Sequence, residues 1–260
     1  MRPTSIVFLL VVVSGEIAAA QTPRGLIPSP APSIERAEEL HYRMRPRDAM
    51  DTLEAAAERH PSHRGALVAA AREALNIGIL SSEEDESERW YRLSEGYARR
   101  ALEADPASLD ARYWLAAALG RRALVESPRS RVRMAEEIRT LADHVLAADS
   151  AHAGAHHVIG MWHAEIRGLR SVTRFFAEHL LGADEFDHAS WAAAIEHLER
   201  AVQLEPEMLL FRIDLARVFA ERDRREEART QLREVLDRPT IHPIDPRIKQ
   251  EAQELLKDLQ

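Results

Sequence analysis

The chain has 260 residues, enough for one elongated domain or two small ones. Its formal net charge of −8 excludes the basic excess that drives nucleic-acid binding, and the absence of cysteine excludes disulfides and thiolate metal sites. Aromatic residues make up only 5% of the chain, so alanine and leucine must carry the core, which favours close-packed helices over β-sheets.

The first 20 residues have the features of a secretory signal peptide. Arg2 supplies a positive start, and Ile6–Val13 is an apolar stretch too short to span a bilayer. Ala18–Ala20 fits the small-x-small pattern that precedes a cleavage site. We therefore predict cleavage after Ala20 and a secreted or periplasmic chain that has no later membrane span. An uncleaved anchor is the alternative.

The rest of the chain divides into a tether and a helical region. Residues 21–33 hold four prolines and are predicted to be a disordered tether, with Ser33 as a candidate helix cap. Residues 34–260 have helical periodicity, which we interpret as about five helix pairs, each with an A and a B helix, and a C-terminal capping helix. The predicted helices are Ile34–Arg43, Pro46–Arg59, Ser62–Leu80, Glu86–Ala104, Ser108–Leu124, Ser130–Ala148, His152–Leu181, Ser190–Leu204, Glu207–Glu221, Arg224–Leu236 and Pro246–Leu259.

One helix-and-stop unit recurs along this region. Ala49–Pro61, Tyr97–Pro106, Ala192–Pro206 and Glu227–Pro239 each run from an alanine-rich amphipathic stretch through a polar step to a proline. Such recurrence is typical of a helical repeat array. It predicts an all-α fold, a right-handed α-solenoid, in which binding is a more common role than catalysis.

The units resemble tetratricopeptide repeats. In the unit that ends at Pro206, Ile159 and Gly160 match the Leu-Gly pair of that pattern, and Ala194, Leu198 and Ala201 take its small, large and small positions. The resemblance implies a scaffold that binds protein or peptide partners.

A more specific resemblance covers residues 111–256. The stretches ARYWLAAALG (Ala111–Gly120), AHHVIGMWHAEI (Ala155–Ile166), an inserted FFAEHLLGAD (Phe175–Asp184), Ser190–Pro206 and Asp214–Leu232 are similar to the regulator of microtubule dynamics family. The resemblance implies the fold and a protein-binding role, and it brings neither a catalytic motif nor a cofactor. Eukaryotic relatives are associated with microtubules. A chain with this signal peptide looks bacterial, so we do not predict tubulin as its partner.

A concave groove lined by the A helices would hold a peptide or helix from another envelope protein. Arginine side chains in it would clamp carboxylates, and Gly160 beside Trp162 would let helices approach closely. The candidate partner-binding residues are Arg112, Tyr113, His156, Trp162, His163, Arg212 and Arg217.

Two alternatives remain open. His152, His156 and His163 lie on one helical stripe near His157 and Glu165, an arrangement that would suit a metal or an enzyme. The spacing matches no established motif, so packing roles are favoured and no metal is predicted. A subunit that self-assembles into a homo-oligomer is the second alternative. Phe175–Leu181 is either a packed helix extension or an exposed apolar ridge for a partner or membrane.

Overall fold

The computed structural model describes residues 29–124, 126–168, 186 and 188–259, and all regular structure within them is helical, which confirms the predicted all-α solenoid. Eleven helices are described there, and consecutive helices pack against one another. They are α1 (Ala31–Tyr42), α2 (Pro46–Arg59), α3 (Arg64–Leu80), α4 (Glu84–Ala104), α5 (Leu109–Ala123), α6 (Pro128–Ala148), α7 (Ala153–Gly168), α8 (Trp191–Leu204), α9 (Leu209–Glu221), α10 (Arg225–Asp237) and α11 (Asp245–Asp258).

The predicted start of the first helix differs from the observed one. Helix α1 begins at Ala31, three residues before the predicted start, so residues 31–33 of the predicted tether are helical. The cap position is Pro30 and not Ser33, because a proline in the first turn costs no hydrogen bond. Helix α7 is described only as far as Gly168. The signal peptide, most of the tether and Phe175–Leu181 lie outside the described residues.

Five helices begin at a side chain that accepts a hydrogen bond from a backbone amide of the first turn. The Oγ atoms of Ser108, Ser127 and Ser190 accept at 3.1 to 3.4 Å. The Nδ1 atoms of His63 and His152 accept at 3.2 and 3.1 Å. These caps satisfy donors that a helix start leaves unpaired. His152, which the sequence placed in a possible metal stripe, is therefore the cap of α7.

Helix α7 joins the two halves of the array into one. Its Ile159 and Trp162 belong to the apolar core that extends from α1, whereas its Ala153 and Ala164 belong to the core that continues to α11. Gly160 makes the close approach of α7 and α8 possible, since a Cβ atom there would lie 2.7 Å from the Cγ atom of Leu198. The Leu-Gly position predicted from the repeat pattern thus lies at a helix-helix contact.

The first and last units of the array touch each other. His41 Nε2 on α1 lies 3.3 Å from His242 Nδ1 in the turn before α11, across 201 residues of sequence. Arg247 on α11 donates to the backbone oxygen of Ser81 at 3.3 Å, and Ile79 packs against the C-terminal core. We call His41, Ser81, His242 and Arg247 the end contact. It curls the solenoid tightly and encloses its concave side.

Candidate binding cavity

The concave side holds a central cavity of about 680 Å³. Its walls come from α1, α3, α5, α7 and α9, which are the A helices of the five pairs, together with part of α6 and the turn before α11. Most of the lining is apolar, as in Leu75, Trp114, Val132, Met161 and Phe211. A volume of this size is typical of pockets that hold a small molecule or a few side chains.

Tyr113 lies in the wall of the cavity, as expected for a groove residue. Its ring packs onto Gly154 at the start of α7, where a Cβ atom would lie only 2.4 Å from the ring. The rings of Trp114 and His152 have their centroids 4.8 and 5.0 Å away. Burial raises the pKa of the Tyr113 hydroxyl, and the negative charge of Glu205 adds to this effect. The hydroxyl therefore remains a hydrogen-bond donor for any ligand in the cavity.

Trp162 also lines the cavity, but its polar atom is used within the fold. The indole Nε1 donates to the backbone oxygen of Ala135 on α6 at 2.9 Å. The guanidinium carbon of Arg139 lies 5.0 Å from the ring centroid, and Phe186 meets the ring edge-on at 5.8 Å. The side chain is 4% exposed, so it forms a rigid apolar part of the wall.

Five of the seven predicted groove residues do not line this cavity: Arg112, His156, His163, Arg212 and Arg217. Arg212 donates to the backbone oxygen of Pro206 at 3.1 Å and to Gln231 Oε1 at 3.0 Å, which ties α9 to α10. Arg217 bonds Asp214 and Glu251, each at 2.6 Å, which ties α9 to α11. Both arginines that were expected to clamp a partner are thus engaged between helices. Partner binding stays a prediction for all seven residues.

The predicted histidine stripe is divided among separate neighbours. His156 Nδ1 lies 2.9 Å from Nδ1 of His197 on α8, so one ring nitrogen donates to the other. His157 turns to α9, where its Nε2 donates to Asp214 Oδ2 at 2.8 Å and its ring stacks on Phe211. No group of three histidine, aspartate or glutamate side chains within the described residues is arranged to hold a metal ion.

His163 is packed in the interface of α7 and α8 in its neutral form. Its side chain is nearly buried, and its Nδ1 has no hydrogen-bond partner among the described residues. Burial, aided by the positive charge of Arg139 and the nearby His197, lowers the pKa of His163 to about 4. This is the packing role that the sequence favoured for a histidine on this face.

His163 is expected to make the protein sensitive to acid. Its pKa is about 4 when folded and 6.5 when unfolded, so between these pH values only the unfolded chain holds the proton. The free energy of unfolding should therefore fall by about 1–3 kcal/mol as the pH drops from 7 to 4. Urea unfolding across this range should show a flatter dependence for His163→Leu. The same change at the exposed His144 should leave the wild-type slope, and equal slopes for all three proteins would refute the assignment.

Sequence analysis missed a buried ion-paired group in the floor of the cavity. Asp214 on α9 is 2% exposed and lies between His157 and Arg217. Burial alone would raise the pKa of Asp214, but the hydrogen bond and charge of His157, with the charge of Arg217, hold it well below its usual range. A single carboxylate inside the mainly apolar stretch LLFRIDLARVF (209–219) was a signal that could have identified it.

Paired helices stacked around one concave cavity define a tetratricopeptide-like repeat protein. The structure is similar to that of TTC0263, a thermophilic tetratricopeptide-repeat protein of Thermus thermophilus, with a TM-score of 0.62 at 18% identity. That match covers 88% of this chain and 100% of the other. PilF of Pseudomonas aeruginosa matches with a TM-score of 0.51 at 14% identity, over 88% of this chain and 91% of PilF. At these identities the likeness establishes the fold.

The family model for regulator of microtubule dynamics protein 1-3 matches residues 33–260, and the chain belongs to this family. The resemblance read from residues 111–256 is thereby confirmed, and the match extends it through the first two helix pairs. No curated protein matches the chain in sequence. In the described part of the chain, none of the helices has the length and apolar character that crossing a bilayer requires.

Proposed function

We propose that this protein is an exported interaction scaffold that takes an apolar segment of another envelope protein into its central cavity. The observation that carries the proposal is the shared lining, because all five A helices contribute side chains to one largely apolar space. Repeat scaffolds bind their partners on such concave surfaces. Export rests on the signal-like features of residues 1–20.

The volume of the cavity favours a short segment over a long helix. An α-helix with its side chains is about 10 Å across, so a space of 680 Å³ holds roughly one and a half turns. An extended segment would instead insert a few side chains. Two exposed apolar side chains, Tyr42 and Leu124, also line the cavity and would continue the contact outward.

Filling the cavity tests the proposal. Gly120 on α5 lines the cavity, and a Cβ atom there meets nothing within 4 Å, so Gly120→Leu introduces a side chain whose Cβ atom has room. Gly96 on α4 is equally open but does not line the cavity, which makes Gly96→Leu a matched control. Both changes replace a helical glycine and should favour the helix by a similar amount.

The measurement is proximity crosslinking of the chain from Gln21 in envelope extracts, with partners quantified for the wild type and both variants. We expect a partner that is lost by at least about tenfold with Gly120→Leu, which corresponds to about 1.4 kcal/mol, and retained with Gly96→Leu. A partner held equally by both variants would assign binding to another surface. Absence of any partner would contradict the scaffold and favour self-assembly, which sedimentation velocity would then measure.

A small apolar molecule is the second candidate occupant. The end contact favours it, since His41 and His242 close one side of the cavity and restrict the entry of a chain. Native mass spectrometry of the purified protein would show an added mass that is present with Gly96→Leu and missing with Gly120→Leu.

A further inference from the structure

Two arginine side chains reach the central cavity without a carboxylate partner. Arg121, on α5, lines the cavity and makes no hydrogen bond or ion pair with any residue that the structure describes. Arg131, on α6, also lines it and donates only to the backbone oxygens of Glu126 and Leu124, at 3.1 and 2.7 Å. These carbonyls hold the guanidinium group of Arg131 in place but do not neutralise its charge.

The neighbouring arginine on the same helix shows the contrast. Arg122 forms ion pairs with both Glu95 and Glu126 and does not line the cavity. The two consecutive side chains project about 100° apart around the helix axis, so Arg122 faces Glu95 and Glu126 while Arg121 faces the cavity. The positive charge of Arg121 is therefore directed at the space where a ligand would lie.

Glu165 on α7 lines the same cavity and interacts electrostatically with both Arg121 and Arg131. No cation in the described part of the chain lies within 4 Å of it, so it leaves both arginines available. Burial raises the pKa of Glu165, and the charges of Glu221 and Asp214 act in the same direction, while Arg131 and Arg121 oppose them. Asp214 also lines the cavity and interacts with Arg121, but it is already paired with His157 and Arg217. The two guanidinium groups therefore face one unpaired carboxylate, Glu165, whose pKa is raised, and this leaves their end of the cavity positive.

The opposite end of the cavity is acidic. Asp110, at the start of α5, and Glu205, after α8, line it there. The Tyr113 hydroxyl lies between the two ends, because the charge of Glu205 raises its pKa while the charge of Arg121 lowers it. A bound segment would thus meet positive charge at one end only, which would set its direction.

We propose that the cavity recognises a peptide segment in which a carboxylate adjoins apolar residues, with the carboxylate on Arg121 and Arg131. This inference rests on the proposed peptide-binding function. Guanidinium groups pair with carboxylates through two parallel hydrogen bonds, and they do so more strongly where apolar walls exclude water. Trp114 and Val132 lie in the wall of the same cavity and would contact the apolar residues of the segment.

The test is a selection from a library of random dodecapeptides displayed on phage, against the chain from Gln21. Selected sequences should combine Asp or Glu with apolar residues. The variant Arg121→Glu with Arg131→Glu should lose this acidic bias. Arg133→Glu, an exposed change on α6 outside the cavity, should keep it. Circular dichroism of each variant checks that the helices are intact.

Fluorescence anisotropy of one selected acidic peptide then gives the sign of the interaction. We expect the double variant to bind at least about tenfold more weakly, because reversing a close charge converts attraction into repulsion. Glu165→Gln should bind a few times more tightly, because it removes the opposing carboxylate. Equal binding of this peptide by the wild type and both variants would overturn the inference.

The remaining outcomes separate this inference from the proposed function. Peptides selected without acidic bias, yet lost with Gly120→Leu, would refute the carboxylate site and leave the scaffold standing. If no peptide is selected by the wild type, both fail. An acidic bias that survives in the double variant would place the carboxylate elsewhere and overturn the role of Arg121 and Arg131.

Discussion

Replacing Asp214 by alanine is expected to lower the free energy of unfolding by about 3–5 kcal/mol. The Asp214 carboxylate is buried, accepts from His157 at 2.8 Å and from Arg217 at 2.6 Å, and joins α7 to α9. Removing it leaves the buried His157 without its acceptor and Arg217 with Glu251 as its remaining carboxylate. Chemical denaturation monitored by circular dichroism measures the loss.

An exposed ion pair of the same array provides the control. Glu226 pairs with Arg229 within α10, and its side chain is 77% exposed. Alanine at Glu226 should cost less than about 1 kcal/mol, because solvent screens such pairs. If Asp214→Ala costs no more than Glu226→Ala, the pair in the cavity floor does not stabilise the fold.

Replacing Glu73 by alanine is expected to lower the free energy of unfolding by a similar amount and to open the end contact. Glu73 on α3 is fully buried, and its Oε1 accepts from His41 Nδ1 and from Arg72 Nε, both at 2.8 Å. His41 in turn contacts His242. Without the carboxylate, Arg72 and His41 lose their shared acceptor, and we expect a loss of about 3–5 kcal/mol.

Hydrogen exchange distinguishes local opening from general destabilisation. The backbone amides of Ile241 and His242 donate to Asp245 Oδ2 at 2.8 Å in the turn that meets α1. They should exchange faster in Glu73→Ala than amides in the middle of α8. Glu38→Ala is the control, since Glu38 is the more exposed carboxylate of Arg72 and does not touch His41. Unchanged exchange in this turn would show that Glu73 does not hold the ends together.

The helix positions could be predicted from local sequence patterns. The residues that line the cavity could be predicted from those patterns only in part. Pro46–Arg59 was predicted to the residue, because proline at the start and a polar step at the end act within one turn. Tyr113 and Trp162, which were chosen as A-helix residues, lie in the cavity wall. Arg212 and Arg217 were chosen in the same way, but they lie outside the lining because they bond partners on α10 and α11 that are 19 and 34 residues away.

The sequence by itself determined the helix pairs, the repeat class and the role of Gly160 as a small residue at a helix-helix contact. Each of these depends on neighbours within one turn or one repeat. Only the tertiary structure decided which charges are neutralised. His157 contacts Asp214 across 57 residues and His41 contacts His242 across 201, while Arg121 forms no ion pair with the residues that the structure describes. The physical reason is that the curvature of the array results from small rotations between successive units. These rotations accumulate along the array and so determine which distant side chains come into contact.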